Sequence, residues 1–227
     1  VSDISDKHPH VRGYGMAGSR SRTRLLQRLE ALGVHDSRVL EAMARVPRHS
    51  FVDEAMTSRA YDDTALPIGY GQTISQPFVV AQMSTHVLAG ATPPTRVLEI
   101  GTGCGYQAAV LAELVAEVYT VERIEALYDQ ARRRLADLGY RNVRPRLAMD
   151  GVLGLPNYAP FDVIIVTAGA ARLPEALYEQ LADGGHMIVP VGESASQRLA
   201  LVRRQGDHFA VEYRDAVSFV PLIEGTR

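Results

Sequence analysis

Apolar positions along the chain change period several times, and each change predicts an element. From Arg22, Leu25, Leu26, Leu29 and Leu32 keep helical spacing until Gly33, which reads as a C-terminal cap. Val39, Leu40, Met43 and Val46 form the stripe of a second helix, opened by Asp36 or Ser37 and stopped by Pro47. Phe51 to Tyr70 is irregular, Gly69 to Pro77 reads as an ordered loop, and Phe78 to Ala89 returns to helical spacing through Val79, Val80, Met83, Val87 and Leu88. Short apolar runs then alternate with helical stretches. The strand candidates are Arg96–Ile100, Val118–Val121, Val143–Met149, Phe161–Gly169 and His186–Val191; the helices between them begin at Ala108, Ile124 and Pro174, the last running to Leu181. This alternation predicts an α/β fold, a doubly wound and mostly parallel sheet with ligands at the carboxyl edge of its strands. Gln197–Arg204 and Phe209–Val220 alternate apolar and polar residues around Gln205-Gly206-Asp207, which predicts a C-terminal antiparallel strand pair.

No linker or internal repeat interrupts this order, so residues 22–227 are expected to form one domain. Its parts are N-terminal helices and a loop over 22–90, a Rossmann-like core over 91–195 and strands over 196–227. Residues 1–21 show no apolar period and are expected to be a flexible leader.

The chemistry concentrates where the first core strand stops in alternate glycines, Gly101-Thr102-Gly103-Cys104-Gly105, before a helix start. Glycines there let backbone approach a ligand closely. The next strand ends in Glu122, twenty-one residues after Gly101, a spacing at which an acidic residue reaches ribose hydroxyls. The glycines do not fit the dinucleotide pattern Gly-x-Gly-x-x-Gly, and Glu99 still stands on the strand. An anion there disfavours a diphosphate and suits the ammonium and sulfonium of S-adenosylmethionine. Asp150-Gly151 again places a carboxylate at a strand end, and the end of the Phe161–Gly169 run, with Thr167, is expected to line the same site. Ser75 lies just before a helix start, so its spacing alone fits an N-cap as well as a ligand contact.

A formal net charge of −2 without a Lys/Arg block offers nothing for a polyanion, so no nucleic-acid partner is expected. The single cysteine, Cys104, excludes an intrachain disulfide framework and a Cys-based zinc knuckle, and it reads as a loop filler; no metal site is expected. No apolar run approaches the ~18 residues of a membrane span, and the polar start offers no signal-peptide core, which predicts a cytoplasmic protein without a membrane partner.

Ile68-Gly69-Tyr70-Gly71-Gln72-Thr73-Ile74-Ser75-Gln76-Pro77, Val97 to Gln107, Val121-Glu122-Arg123 and Phe161 to Gly169 together closely resemble the protein-L-isoaspartate O-methyltransferase family. The resemblance runs from about Arg22 to Phe219-Val220-Pro221-Leu222, and the Gly-Gln-Thr-Ile-Ser-Gln-Pro loop is its most specific part. It implies a class I S-adenosylmethionine-dependent methyltransferase, expected as a monomer. Its activity would be to esterify the free α-carboxylate of isoaspartyl residues in damaged proteins and peptides, the first step of their repair. By that pattern Thr73 and Ser75 face the cofactor and the acceptor carboxylate, Gly101 to Gly105 cradle the methionine part, Glu122 holds the ribose and Asp150-Gly151 lies by the adenine. Ser75 is the expected catalytic residue. The expected cofactor contacts are Thr73, Ser75, Glu99, Gly101, Thr102, Gly103, Gly105, Glu122, Arg123, Asp150, Gly151 and Thr167. Two other readings share the cofactor features: a methyltransferase for small carboxylic acids or phenols, and a module that binds S-adenosylmethionine without turning it over. A nucleic-acid methyltransferase would end its fourth strand in a polar-Pro-Pro-aromatic clamp, where this chain has Thr167-Ala168-Gly169-Ala170.

Overall fold

In a computed structural model the structure describes residues 16–90, 92–193, 196–223 and 225. The first helix, α1 (Met16–Ala31), starts six residues before the expected Arg22, so residues 16–21 are helical and not part of a leader. The backbone there continues the i to i−4 ladder, and Thr23 Oγ1 adds a bond to the Ser19 carbonyl at 3.1 Å. Residues 1–15, the rest of the expected leader, lie outside the described residues. At the other end Gly33 takes φ +98°, and Val34 N donates back to Leu29 O at 3.0 Å. That is the left-handed termination the sequence predicts. Helix α2 (Ser37–Arg45) is capped by Asp36, whose carboxylate accepts from Arg38 N at 3.0 Å.

The expected loop before the third helix is itself structured. Strands β1 (Leu66–Gly69) and β2 (Gln72–Ile74) form a hairpin in which Gly69 pairs with Gln72. Its two central residues, Tyr70 and Gly71, have φ +55° and +72°, the conformation that matches strand twist in two-residue hairpins. Helix α3 (Pro77–Val87) follows, with Pro77 in its first turn.

The central sheet contains β3 (Arg96–Ile100), β4 (Glu117–Glu122), β5 (Val143–Leu147), β6 (Phe161–Val166), β7 (Leu181–Val191), β8 (Gln197–Gln205) and β9 (His208–Val217), in the order β5-β4-β3-β6-β7-β8-β9. The first five pair in parallel, and β8 and β9 add antiparallel strands at one edge. Order reverses beside β3, so the crevice at its carboxyl end is the topological switch point.

Alternation along the strands divides the core. Val97, Val118, Val163 and Ile165 face a cluster shared with α1 to α3, α4 (Tyr106–Ala112) and α5 (Glu125–Asp137). Leu98, Ile100, Tyr119, Val121, Ile164 and Val166 face a second cluster. That second face is covered by short 3₁₀ turns. The stretch expected as a helix from Pro174 to Leu181 is one of them, Glu175–Gln180. The turn is cut short because Leu181, pairing with Phe161, already opens β7, and the Gln180 side chain ties it to a neighbouring loop through Leu155 N and Leu153 O at 2.8 Å each. No helix among the described residues is long and apolar enough to cross a membrane.

Candidate active site

Strand register assembles the cleft. Glu99 on β3 pairs directly with Thr120 on β4, both on the helix-covered face, and both are 0 % exposed. The Thr120 hydroxyl donates to Glu99 Oε2 at 2.5 Å and accepts from the Thr102 hydroxyl at 2.6 Å. Among the described residues Glu99 Oε1 is buried with no hydrogen-bond partner, yet Glu99 lines the cleft. Burial, with Glu122 nearby, pushes the Glu99 carboxyl up to about 8 against the pull of the Thr120 hydroxyl. An unsatisfied buried acceptor of this kind calls for a donor from a ligand, and a cationic donor favours its ionised form.

Past β3 the glycine turn is pinned from both neighbouring strands. Gly101 N and Thr102 N donate to Val121 O at 2.8 and 3.1 Å, and the Thr167 hydroxyl donates to Gly101 O at 2.7 Å. At φ +101°, a Cβ on Gly101 would stand 2.6 Å from Thr167 Oγ1, so the position needs glycine twice over. Gly105, at φ +91°, caps α4 where a Cβ would press Leu135 Cδ1 at 3.2 Å.

Glu122 closes the turn from the β4 end. It is 5 % exposed. Its Oε2 accepts from Gly103 N at 2.8 Å, and its Oε1 accepts from Arg123 N and Ile124 N at 2.9 Å each. Oε2 retains acceptor capacity toward the cleft. Because Gly103 N is already engaged by a carboxylate, the turn does not offer the free amides a diphosphate requires.

The cleft opens to solvent and is lined by Glu99 to Cys104, Glu122 to Ile124, Val152 to Gly154 and Thr167, among others. Acidic groups at one end and the apolar Val121, Ile124, Val152 and Leu153 elsewhere fit an ammonium, a ribose diol and a flat base. Asp150 and Gly151 sit on an exposed turn beside the lining residues Ala148 and Val152, and are not themselves in the lining. Gly105 likewise shapes the turn without lining the cleft, whereas Thr73, Ser75, Arg123 and Thr167 do line it.

A second groove, lined by Gly33 to His35, Gln76, Phe78, Val79, Gln82 and Asp215 to Phe219, meets the first at Thr73, Ser75, Thr167 and Val220. Ser75 is not the cap of α3. Gln76 holds that position and no side chain caps the helix, so the Ser75 side chain is available to both cavities. Asp63 anchors this loop, accepting from Phe78 N at 2.9 Å and Gln76 Nε2 at 3.1 Å.

Sequence reasoning missed Thr120, Asp63 and the tail as parts of the site. Thr120 is legible only once β3 and β4 are placed in register. The tail crosses the end of β6 by backbone bonds, Gly169 N to Val220 O and Leu222 N to Gly169 O at 2.8 Å, and so brings Val220 to Ile223 over the cleft.

The protein-L-isoaspartate(D-aspartate) O-methyltransferase family model matches residues 20–227. The chain is 55 % identical over 213 residues to the protein-L-isoaspartate O-methyltransferase of Halorhodospira halophila, covering 94 % of this chain and 96 % of that one. It is 56 % identical over 207 residues to that of Azoarcus sp., covering 91 % and 94 %. Among solved structures, one described as a beta-aspartate methyltransferase from Plasmodium falciparum in complex with S-adenosyl-L-homocysteine superposes with a TM-score of 0.78 at 25 % identity, over 88 % of this chain and 97 % of that one. A protein-L-isoaspartate O-methyltransferase structure superposes at 0.79 and 32 % identity over 88 % of this chain, which spans 65 % of that longer one. With the switch-point cleft, the acidic glycine turn and these relatives in agreement, the chain belongs to the protein-L-isoaspartate(D-aspartate) O-methyltransferase family.

Proposed function

We propose that this enzyme methylates the free α-carboxylate of L-isoaspartyl residues in damaged proteins and peptides, using S-adenosylmethionine. The observation that carries the reading is the meeting of two cavities at Thr73, Ser75, Thr167 and Val220, one suited to the cofactor and one an open groove beyond it. The cofactor, when bound, supplies a methyl group on a positively charged sulfur. Glu99 Oε1 is assigned to its ammonium, Glu122 Oε2 to its ribose, and the turn from Gly101 to Gly105 to its methionine part, with Thr102 holding the hydroxyl chain to Glu99. Arg123, Asp150 and Gly151 are assigned to the adenosine end, the last two through their turn.

The acceptor needs no base, because a carboxylic acid with a pKa near ~4 is already ionised at neutral pH. The protein's task is alignment, which well-oriented intramolecular reactions suggest contributes on the order of 7–11 kcal/mol. Ser75 donates its hydroxyl proton in a hydrogen bond to the acceptor carboxylate and holds one oxygen toward the cofactor cleft. Thr73 and Thr167 border the same junction. Closing it with a peptide strips water from two opposite charges that neutralise each other as the methyl group moves.

The second groove, which continues from the cleft to Gly33–His35 and Asp215–Phe219, favours a peptide over a small carboxylic acid as acceptor. The reading carries with it a monomeric cytoplasmic protein, which sedimentation and fractionation check. Incubation with methyl-labelled cofactor and an isoaspartyl peptide is expected to give a base-labile ester. Label on simple carboxylic acids but not on the peptide would move the chain to a small-molecule methyltransferase, and binding without transfer to either would make it a binding module.

A further inference from the structure

Arg48 opens the 3₁₀ turn Arg48–Phe51, directly after Pro47, and is 0 % exposed. A guanidinium so placed ordinarily has a carboxylate partner, because a buried cation without one is less favourable than an apolar side chain filling the same space. The groups facing Arg48 are Tyr106, Cys104 and Tyr61, none of them a carboxylate, and burial pulls its pKa down. Its fork is spent on two carbonyls: Nε donates to Ala60 O and Nη2 to Ser75 O, each at 2.8 Å. Nη1 is buried without a hydrogen-bond partner among the described residues, and the guanidinium lies 4.7 Å from the centroid of the Tyr106 ring.

These contacts fall on the seam between the two halves of the site. Ser75 belongs to the acceptor loop, and Tyr106 is the first residue of α4, directly after the glycine turn. Asp63 holds the same loop one residue further on, through Gln76 and Phe78, but the Ser75 backbone itself is held by Arg48. We propose that Arg48 is a positioning residue for methyl transfer: by fixing the Ser75 carbonyl against Tyr106, it sets the distance between the acceptor-orienting hydroxyl and the cofactor cleft. This rests on the reading of Ser75 given under Proposed function. A planar fork suits the task because it bonds two carbonyls at fixed separation, which an ammonium does not.

The test is a double-mutant cycle on the full chain with an isoaspartyl peptide, using Arg48→Met, Arg48→Lys and Ser75→Ala, with S-adenosylhomocysteine calorimetry on each. Product affinity is expected to stay within about threefold of the parent. Turnover should fall about ten- to a hundredfold in both Arg48 variants, the scale expected for misplacement by up to about an ångström. In the Ser75→Ala background, Arg48→Met should cost no more than about twofold further. An impaired Ser75→Ala beside an Arg48→Met or Arg48→Lys enzyme with parental turnover would overturn the Arg48 inference alone. Equal losses in both backgrounds, a matching loss of product binding, or failure of both Arg48 variants to fold would overturn it too, assigning Arg48 to the scaffold. A silent Ser75→Ala would instead refute the reading of Ser75, and with it the route by which Arg48 acts.

Discussion

Around Gly101 each restraint comes from a neighbour in the sheet: Val121 O, the Thr167 hydroxyl, Glu122 and, beneath them, the Thr102–Thr120–Glu99 hydroxyl chain. Around Ser75 the restraints come from side chains on separate segments, Arg48 and Asp63, and the Val220 to Ile223 tail crosses the adjoining cleft. The cofactor half is therefore as rigid as the parallel sheet that carries it. The acceptor half hangs on the two-stranded hairpin β1–β2, the buried Ile74 and a few long-range polar contacts. Damage to the first should appear as lost ligand binding, and damage to the second as slow transfer with binding intact.

The largest effect is expected at Gly101. Gly101→Ala combines an unfavourable positive φ with the 2.6 Å approach to Thr167 Oγ1. At ~1–3 kcal/mol for such strain, before any displacement of the turn, calorimetry should show product affinity falling on the order of a hundredfold. Near-parental affinity would show that the turn is softer than its bonds imply.

Glu122→Ala comes next, because the side chain holds the turn and is also the proposed ribose contact. It removes acceptors for three backbone amides besides the ribose contact proposed for it, and bonds to a charged acceptor contribute about 1.5–3 kcal/mol each. Product affinity should drop by about one to two decades, and the melting temperature should fall by at least about 3 °C. Weak binding at an unchanged melting temperature would mean that the amides find water or other partners.

Ser75→Ala should show the opposite signature: turnover about ten- to a hundredfold slower, product affinity within about twofold, and melting unchanged because Ser75 caps no helix. A lowered melting temperature with normal turnover would return Ser75 to a purely structural role.

The smallest effect is a pH dependence confined to the cofactor half. Below the ordinary carboxylate range Glu99 is neutral in folded and unfolded chains alike, and its burial carries no ionic penalty. As pH rises toward about 8 the unfolded chain loses this proton first, so the free protein loses stability over that window. A ligand ammonium favours the ionised form, so product affinity should rise a few-fold per pH unit from pH 6 to 8, with tenfold per unit as the ceiling. Glu99→Gln should flatten that slope, and an unchanged slope would place the titrating group elsewhere.

The same contrast explains what was legible in the sequence. Apolar periodicity and glycine placement locate β3, β4, β6 and the turn, because local steric rules dictate them, and Glu99 and Glu122 follow from charge at strand ends. Chemistry alone left Ser75 divided between cap and ligand contact; only the resemblance favoured the site, and the structure removes the cap. Arg48 and Asp63 gave no signal, since a lone Arg after Pro47 and an Asp in an irregular stretch look like surface until the chain folds them under the loop. Apolar spacing predicts a helix at Glu175–Gln180 because it fits a 3₁₀ turn equally well, and the pairing of Leu181 with Phe161 that ends the turn is long-range.

The most direct test of the two-cavity site is methyl transfer to an isoaspartyl peptide and to its normal aspartyl twin, run side by side with the same labelled cofactor. The two peptides share sequence, charge and length and differ only in which carboxylate is free and in one backbone methylene. A groove that delivers the free α-carboxylate to Ser75 predicts base-labile methyl ester on the isoaspartyl peptide and background label on the twin. Equal labelling of both, or label on neither while product still binds, would contradict it.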